Sequence, residues 1–409
     1  MRLAFLTHEP FYPPSGGGSA EAVYLVRELR RRGHAVHIFA PPVADPTGVR
    51  REFGVELHPF TGWQMGRYTR FRNFKYLLYP GALRRLVEAA ARELRFDLVL
   101  SQHAIAAVAA GRLKRRLRVP VVMNFLDYLT GFMEAWPALL MPPPLLAALK
   151  RYELSVPRRF GADAVLTVSD TLADYFVGAG FPRERLLPIY FGYDPELFRF
   201  DEAAVARRTE SPPTVVMHGS LDHHHLRRIA LDALSRVQAV RPDVCFKLIG
   251  QRTGALENFL ARARRQAPHL KLVATGFVPY DQVAGHLAPA TLGLVPYEET
   301  TGAHCAFVAK IVEYLGLGLP VASTPLASAR RYFQDEPLVR FSEFTGASLG
   351  DVVLGWLREP SERRRQLAPA ASARVRARLD WRVICRQAVD CVERVWAQAK
   401  GGATLAPSA

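Results

Sequence analysis

Residues 292–325 read LGLVPYEETTGAHCAFVAKIVEYLGLGLPVASTP, and this stretch decides the fold class. An apolar run ends at Pro296, and a polar loop containing a glycine follows it. Val308, Ile311, Val312 and Leu315 then recur at helical spacing, with Lys310 and Glu313 three residues apart. Gly318 and Pro320 stop the helix, and Pro320-Val321-Ala322-Ser323 reads as the next buried strand. Strand, loop, helix and strand in that order belong to an α/β domain. A helix N-terminus offers free N–H groups and partial positive charge to a phosphate. A lysine beside that end adds charge, and a carboxylate one turn on can accept bonds from two vicinal ribose hydroxyls. The pattern therefore suits a nucleotide diphosphate. The same spacing is equally that of a solvated i,i+3 ion pair on an amphipathic helix.

Outward from this stretch, the alternation continues through the second half. Thr214–His218 begins a sheet and runs into Gly219-Ser220, a helix is predicted over 226–240, and Val244–Ile249 is a further strand. The run Asp222-His223-His224-His225 invites a metal reading, but adjacent histidines on a turn point apart and lack Cys or carboxylate partners at ligand spacing. The first half repeats the architecture. Leu3–Thr7 is a buried strand, a helix is predicted over 20–32, and Ala35–Ala40 is a second strand. Gly16-Gly17-Gly18, with Ser19, precedes the helix and permits close backbone approach to a ligand, or serves only as a flexible loop. A dinucleotide fold is excluded: the loop lacks the GxGxxG spacing and is too long, and the second strand ends without an acidic ribose ligand. Farther on, His103 follows the strand around Leu98–Leu100, and Asp127 follows Val119–Phe125. Both sit at carboxyl ends of strands, where ligands gather in open α/β sheets.

At 409 residues the chain exceeds one ordinary core. The expected division is 1–200 and 201–380, two doubly wound Rossmann-like α/β domains joined within about 195–213; a C-terminal helix and loose tail occupy 381–409. Lys+Arg outnumber Asp+Glu by 54 to 38, a formal net charge of +16, which favours anionic partners. Residues 63–79 interleave Trp63, Tyr68, Phe71, Phe74, Tyr76 and Tyr79 with Arg67, Arg70, Arg72 and Lys75. Such mixing suits an interfacial membrane patch, a stacking surface, or plain packing. No nucleic-acid motif accompanies it, so no nucleic-acid partner is expected. The four cysteines have no CxxC spacing, the opening MRLAFLTHEP turns polar too soon for a signal peptide to be expected, and no apolar run in the sequence reaches membrane-spanning length. A cytoplasmic protein is expected, with peripheral contact at an anionic membrane surface through the aromatic-basic stretch and the cluster Arg112, Lys114, Arg115, Arg116 and Arg118.

Taken together these motifs resemble the GT-B glycosyltransferases, in particular the group-1, family-4-like set, over nearly the whole chain. GGGSAEAVYLVRELRRRGHAV is similar to that family's opening loop and helix, and ADAVLTVSDTLADYF with YFGYDPELF to its linker region, with Phe191 where Asn is usual. AKIVEYLGLGLPVAST resembles its most specific signature. The resemblance implies two domains facing across a cleft and transfer of a sugar with retention, no tightly bound metal and no cofactor. The donor is a nucleotide sugar, such as a UDP- or GDP-sugar, and the acceptor a lipid-linked or glycan hydroxyl. It implies that Glu313 binds the donor ribose and Lys310 the diphosphate, that Gly16 to Ser19 and Gly219 approach the donor, and that His103 and Asp127 lie near the transferred sugar or acceptor.

The sequence departs from the family at two points. The first of the family's two glutamates, eight residues before Glu313, is here Cys305, with Glu298 and Glu299 as substitutes. The usual Arg and Lys after the first donor-domain strand give way to Ser220 and the histidine run, with Arg227, Arg228 or Arg252 to supply the charge. A nucleotide-sugar epimerase, or a catalytically silent GT-B subunit, is the alternative reading.

Overall fold

The computed structural model describes residues 1–14, 17–60, 75–136, 138–139, 141–208 and 212–403. The chain forms two compact units. The first comprises Met1–Thr130, Pro143–Tyr190 and Arg382–Ala409, and the second Gly131–Pro142 and Phe191–Trp381.

The first unit is built on a parallel sheet of seven strands: β1 (Arg2–Thr7), β2 (Ala35–Ala40), β3 (Glu56–Pro59), β4 (Leu98–Gln102), β5 (Val121–Phe125), β6 (Ala164–Thr167) and β7 (Leu186–Pro188). Their order is β3-β2-β1-β4-β5-β6-β7. Central strands such as Leu98–Gln102 are buried along their whole length, which is why they read as continuous apolar runs rather than alternating ones. β1 pairs with β2 on one side and β4 on the other, so the winding reverses between β1 and β4. Register sets Thr7 beside Gln102, and Gln102 beside Asn124, at the carboxyl ends of the three strands.

The first helix spans Gly17–Arg31, so Gly17 and Gly18 form its opening turn rather than a loop ahead of it. Glycine is a poor helix former. Here the turn is pinned from outside, because the Gln102 Nε2 donates to the Gly18 carbonyl at 2.9 Å. Gly33 closes the helix with φ 80°. The last helix runs Trp381–Ala403. From Arg382 onward it belongs to the first unit, where Arg32 meets Asp390 at 2.7 Å and Glu393 at 2.6 Å, and His34 meets Glu393 at 2.8 Å.

The second unit carries six parallel strands: β8 (Thr214–His218), β9 (Cys245–Ile249), β10 (Leu272–Ala274), β11 (Leu292–Val295), β12 (Val321–Ser323) and β13 (Val339–Phe341). Their order is β10-β9-β8-β11-β12-β13, with the reversal between β8 and β11. The helix after β8 is Arg228–Val240, two residues shorter at its start than the periodicity predicts, and the Glu298 Oε1 accepts the Ile229 N–H there at 3.0 Å. The helix after β11 that carries Lys310 and Glu313 is Ala309–Gly316. Among the described residues no cysteine forms a disulfide. Among the described residues no helix is long and apolar enough to cross a membrane, and no three His, Cys, Asp or Glu side chains group as metal ligands. Residues 61–74, which hold most of the aromatic-basic stretch, lie outside the described residues.

β11 contains a glycine for a steric reason. A Cβ on Gly293 would fall 2.3 Å from the Tyr314 ring, which lies flat against the strand and is fully buried. Gly293→Ala is expected to destabilise the protein by about 1–3 kcal/mol, because neither the ring nor the strand can retreat. A urea midpoint equal to that of the wild type would contradict this packing account.

Candidate active site

In open α/β sheets ligands bind beyond the carboxyl ends of strands, where the winding reverses. In the second unit that place is beyond β8 and β11. β8 ends at His218, followed by Gly219. The His218 Nε2 lies 2.6 Å from the Glu313 Oε2, and its Nδ1 3.0 Å from the Tyr314 hydroxyl. A carboxylate only accepts, so the His218 Nε2 donates to Glu313, while the Tyr314 hydroxyl lies between His218 Nδ1 and the Val216 carbonyl, the latter 3.3 Å away. Burial holds the Tyr314 hydroxyl well above its ordinary range, which keeps it a donor. The Tyr280 hydroxyl donates to the other Glu313 oxygen at 3.1 Å. Both oxygens of Glu313 are thus oriented, and each keeps acceptor capacity for a further donor.

Lys310 is equally enclosed. Its ammonium approaches the His225 Nε2 at 3.3 Å and lies 5.6 Å from the centre of the Tyr297 ring. Burial, then the neighbouring His224 and Lys310, pushes His225 well below the ordinary histidine range, so it stays neutral and can accept from the ammonium. Gly219, with φ 99°, passes so close to the lysine that a Cβ there would stand 3.2 Å from its Cε. Lys310 and Glu313 are both buried, which removes the reading of a solvated surface pair. Val308, at the N-cap of their helix, makes no side-chain capping bond, and the partial positive charge of that helix end lies beside the lysine.

The remaining expected donor residues of this unit lie in other settings. Arg252 is exposed and pairs with Glu257 at 3.4 Å. Glu298 caps the Arg228–Val240 helix, while the exposed Glu299 stands 3.5 Å from His304. Arg228 pairs with Asp232 in solvent. Cys305 is buried at the end of the short helix Thr301–Cys305. The acid that meets this helix is Glu134, whose carboxylate takes the Thr301 N–H and hydroxyl, each at 2.6 Å. It arrives on the segment Gly131–Pro142, which also sets Phe132 5.0 Å from the His224 ring.

In the first unit the reversal lies between β1 and β4. His103 opens the helix His103–Leu117 with φ 68°, a left-handed backbone that costs a non-glycine residue about 1–2 kcal/mol. Its ring lies edge-on to His8 at 5.0 Å and against Gly18, where a Cβ would stand 3.3 Å from the ring. Ser19 is buried in the same helical turn as Gly18. Gly16 lies outside the described residues. Asp127 is half-buried in the turn after β5. Beneath them, fully buried Glu21 accepts from the Gln102 Nε2 at 2.5 Å and the Asn124 Nδ2 at 2.8 Å. Burial raises its carboxyl to about 7 against those two bonds.

Sequence reasoning passed over His218, Tyr280, Tyr297 and Glu21, and weighed His225 only within a metal reading of the histidine run. For His218 a signal existed, since it ends a strand beside the reversal, as His103 and Asp127 follow theirs.

Two doubly wound units with this arrangement of strand ends define the Rossmann-like GT-B architecture. The chain belongs to the group-1, family-4-like glycosyltransferases: residues 15–197 match the profile of Glycosyltransferase Family 4, and 212–343 that of Glycosyl transferases group 1. It is an enzyme of the glycosyltransferase class. Among solved structures it is similar to a sucrose-phosphate synthase from Thermosynechococcus elongatus, with 15% identity, TM-score 0.79, and 97% of this chain and 99% of that one covered. It is also similar to HepE of Anabaena in complex with UDP and glucose, with 18% identity, TM-score 0.72, and coverage of 96% and 99%. WaaG, a glycosyltransferase involved in lipopolysaccharide biosynthesis, shares 16% identity with TM-score 0.66 over 95% and 98%. No curated protein matches the sequence significantly.

Glu21 carries a pH prediction. Its folded value lies above the ordinary 4.5, so the stability linked to it is fully present below about 4.5 and is lost as pH rises through about 7. The loss should amount to on the order of 3 kcal/mol. Urea denaturation of wild type and Glu21→Gln at pH 5 and pH 8 checks this. The variant should gain on the wild type at pH 8, and a difference that does not change with pH would refute the assignment.

Proposed function

We propose that this enzyme moves a sugar from a nucleotide-activated donor, such as a UDP- or GDP-sugar, to a hydroxyl acceptor, with retention of configuration. The observation that carries the reading is the enclosure of Lys310 and Glu313 on one helix beside the β8/β11 reversal, each oriented by a histidine. The Lys310 ammonium and the positive end of that helix meet the diphosphate, and Glu313 accepts from the two ribose hydroxyls. As the diphosphate departs its negative charge grows, and a preorganised cation and helix terminus stabilise it without reorganising. The sugar carbon becomes oxocarbenium-like, and the leaving phosphate assists attack of the acceptor from the same face. These groups supply the positive charge the departure requires, so no step of the proposal calls on a bound metal. The complexes of HepE with UDP and glucose, and with UDP-glucose, support a nucleotide-sugar donor. His103 and Asp127 serve the transferred sugar or the acceptor hydroxyl.

The proposed acceptor is lipid-linked or a glycan, reached by peripheral contact with an anionic membrane. Arg112, Arg115, Arg116 and Arg118 are exposed at the end of the His103–Leu117 helix and support that contact. Lys114 is committed elsewhere, to Asp163 at 2.6 Å. Flotation with acidic vesicles at low salt tests it; a protein left at the bottom of the gradient would remove the membrane from the proposal.

Incubation with a panel of labelled nucleotide sugars separates transfer from epimerisation and from binding alone. Glu313→Ala is expected to weaken nucleotide binding by about 1.5–3 kcal/mol, through loss of a charged acceptor. Calorimetry giving an unchanged affinity in the folded variant would count against the site. His103→Ala and Asp127→Asn should lower kcat more than they weaken donor binding, and full turnover in both would return these residues to a structural role.

A further inference from the structure

The first unit holds a buried carboxyl that no step above uses. Glu21 lies one helical turn after Gly18, yet it faces the sheet, 1% exposed. Its two hydrogen-bond partners, Gln102 and Asn124, are level with each other at the ends of β4 and β5. Gln102 bridges: the same Nε2 that meets Glu21 at 2.5 Å donates to the Gly18 carbonyl at 2.9 Å. The next residue is His103, with its left-handed backbone and its ring against Gly18. A residue held in that region persists only when its surroundings over-determine it. The ring meets His8 and Gly18, and the side chain of the preceding residue, Gln102, is tied at once to the helix opening and to the carboxyl beneath it.

We infer that Glu21 is a positioning residue of this transferase: through Gln102 it fixes the glycine opening of the Gly17–Arg31 helix against the His103 ring. It touches neither substrate nor reacting atoms. The inference rests on the reading of His103 given above and goes beyond it. Asn124 gives the arrangement tolerance to a neutral side chain. Its Oδ1 is buried without a hydrogen-bond partner, so turning the amide over lets it accept from an amide or a protonated carboxyl at position 21. Glutamine can therefore replace Glu21 and keep the bond to Gln102, whereas alanine cannot.

The test uses the full chain and four variants, Glu21→Ala, Glu21→Gln, Gln102→Ala and His103→Ala. Release of UDP from UDP-glucose, or of GDP from GDP-mannose, is measured well below the unfolding temperature. Glu21→Ala should lower kcat about tenfold with the donor KM nearly unchanged, Glu21→Gln should stay within about threefold of wild type, and Gln102→Ala should match Glu21→Ala. The double variant Glu21→Ala/Gln102→Ala should be no worse than either single change, because both cut one connection. The 13C resonance of the His103 ring, assigned by its loss in His103→Ala, reports the same contact without substrate: it should move in Glu21→Ala and stay in Glu21→Gln. A lowered melting temperature with wild-type kcat and an unmoved His103 resonance would reduce Glu21 to a structural role and overturn the inference. Additive losses in the double variant would also overturn it. If His103→Ala itself keeps full kcat, it is the reading of His103 that fails, while the resonance still decides whether Glu21 positions the ring.

Discussion

The contact on which the second unit depends is the 2.6 Å approach of His218 to Glu313, made across 95 residues of sequence. It ties the end of β8 to the helix after β11, the two elements that flank the reversal of the sheet. A carboxylate taken out of water costs several kcal/mol unless its oxygens are bonded. Here the imidazole and the Tyr280 hydroxyl meet that requirement while leaving each oxygen room for another donor. The histidine is itself held by Tyr314, whose ring needs the bare backbone of Gly293 beneath it. A missing methyl group in one strand and the orientation of a buried carboxylate on the helix after it are thus parts of one construction.

The first unit solves the same problem differently. Its buried carboxyl, Glu21, has amides for partners rather than an imidazole, and burial outweighs the two bonds it accepts. Amides carry no charge to offset that of the carboxylate, so the proton is held up to about neutral pH. One unit therefore orients its carboxylate beside a histidine, and the other stores a titratable group below a histidine. The difference follows from which side chains end the strands: His218 at β8, Gln102 at β4 and Asn124 at β5.

Much of this was legible in the sequence. The continuous apolar runs marked the buried parallel strands, and the spacing of Val308, Ile311, Val312 and Leu315 marked the helix carrying Lys310 and Glu313. Periodicity assigns a residue to a face, but it does not say what stands opposite. Hence the periodicity places Lys310 and Glu313 on one helix but does not show His225 and His218 opposite them. The side chains of the histidine run diverge too far to read as a metal site, and the structure packs two of them against Tyr297, one tilted and one edge-on, beside the lysine. The glycines before Ala20 read as a ligand-approaching or flexible loop, because the bond from Gln102 that holds Gly18 in the helical turn comes from 84 residues away. Glu298 looked like a free acid in a loop, yet a helix opening with no cap of its own had claimed it.

The division into units has a consequence for how such a chain can be cut. The polypeptide passes from one unit to the other after Thr130, Pro142, Tyr190 and Trp381, so neither unit is a contiguous piece of sequence. A gene split near residue 200 would leave the second unit without Glu134 and Phe132, which meet Thr301 and His224, and the first without the helix that meets Arg32 and His34. Exchange of whole lobes between related enzymes, a natural route to new donor and acceptor pairings, would have to carry those outlying segments along. The excursions act as sequence-level stitching, and they bind the inheritance of one unit to that of the other.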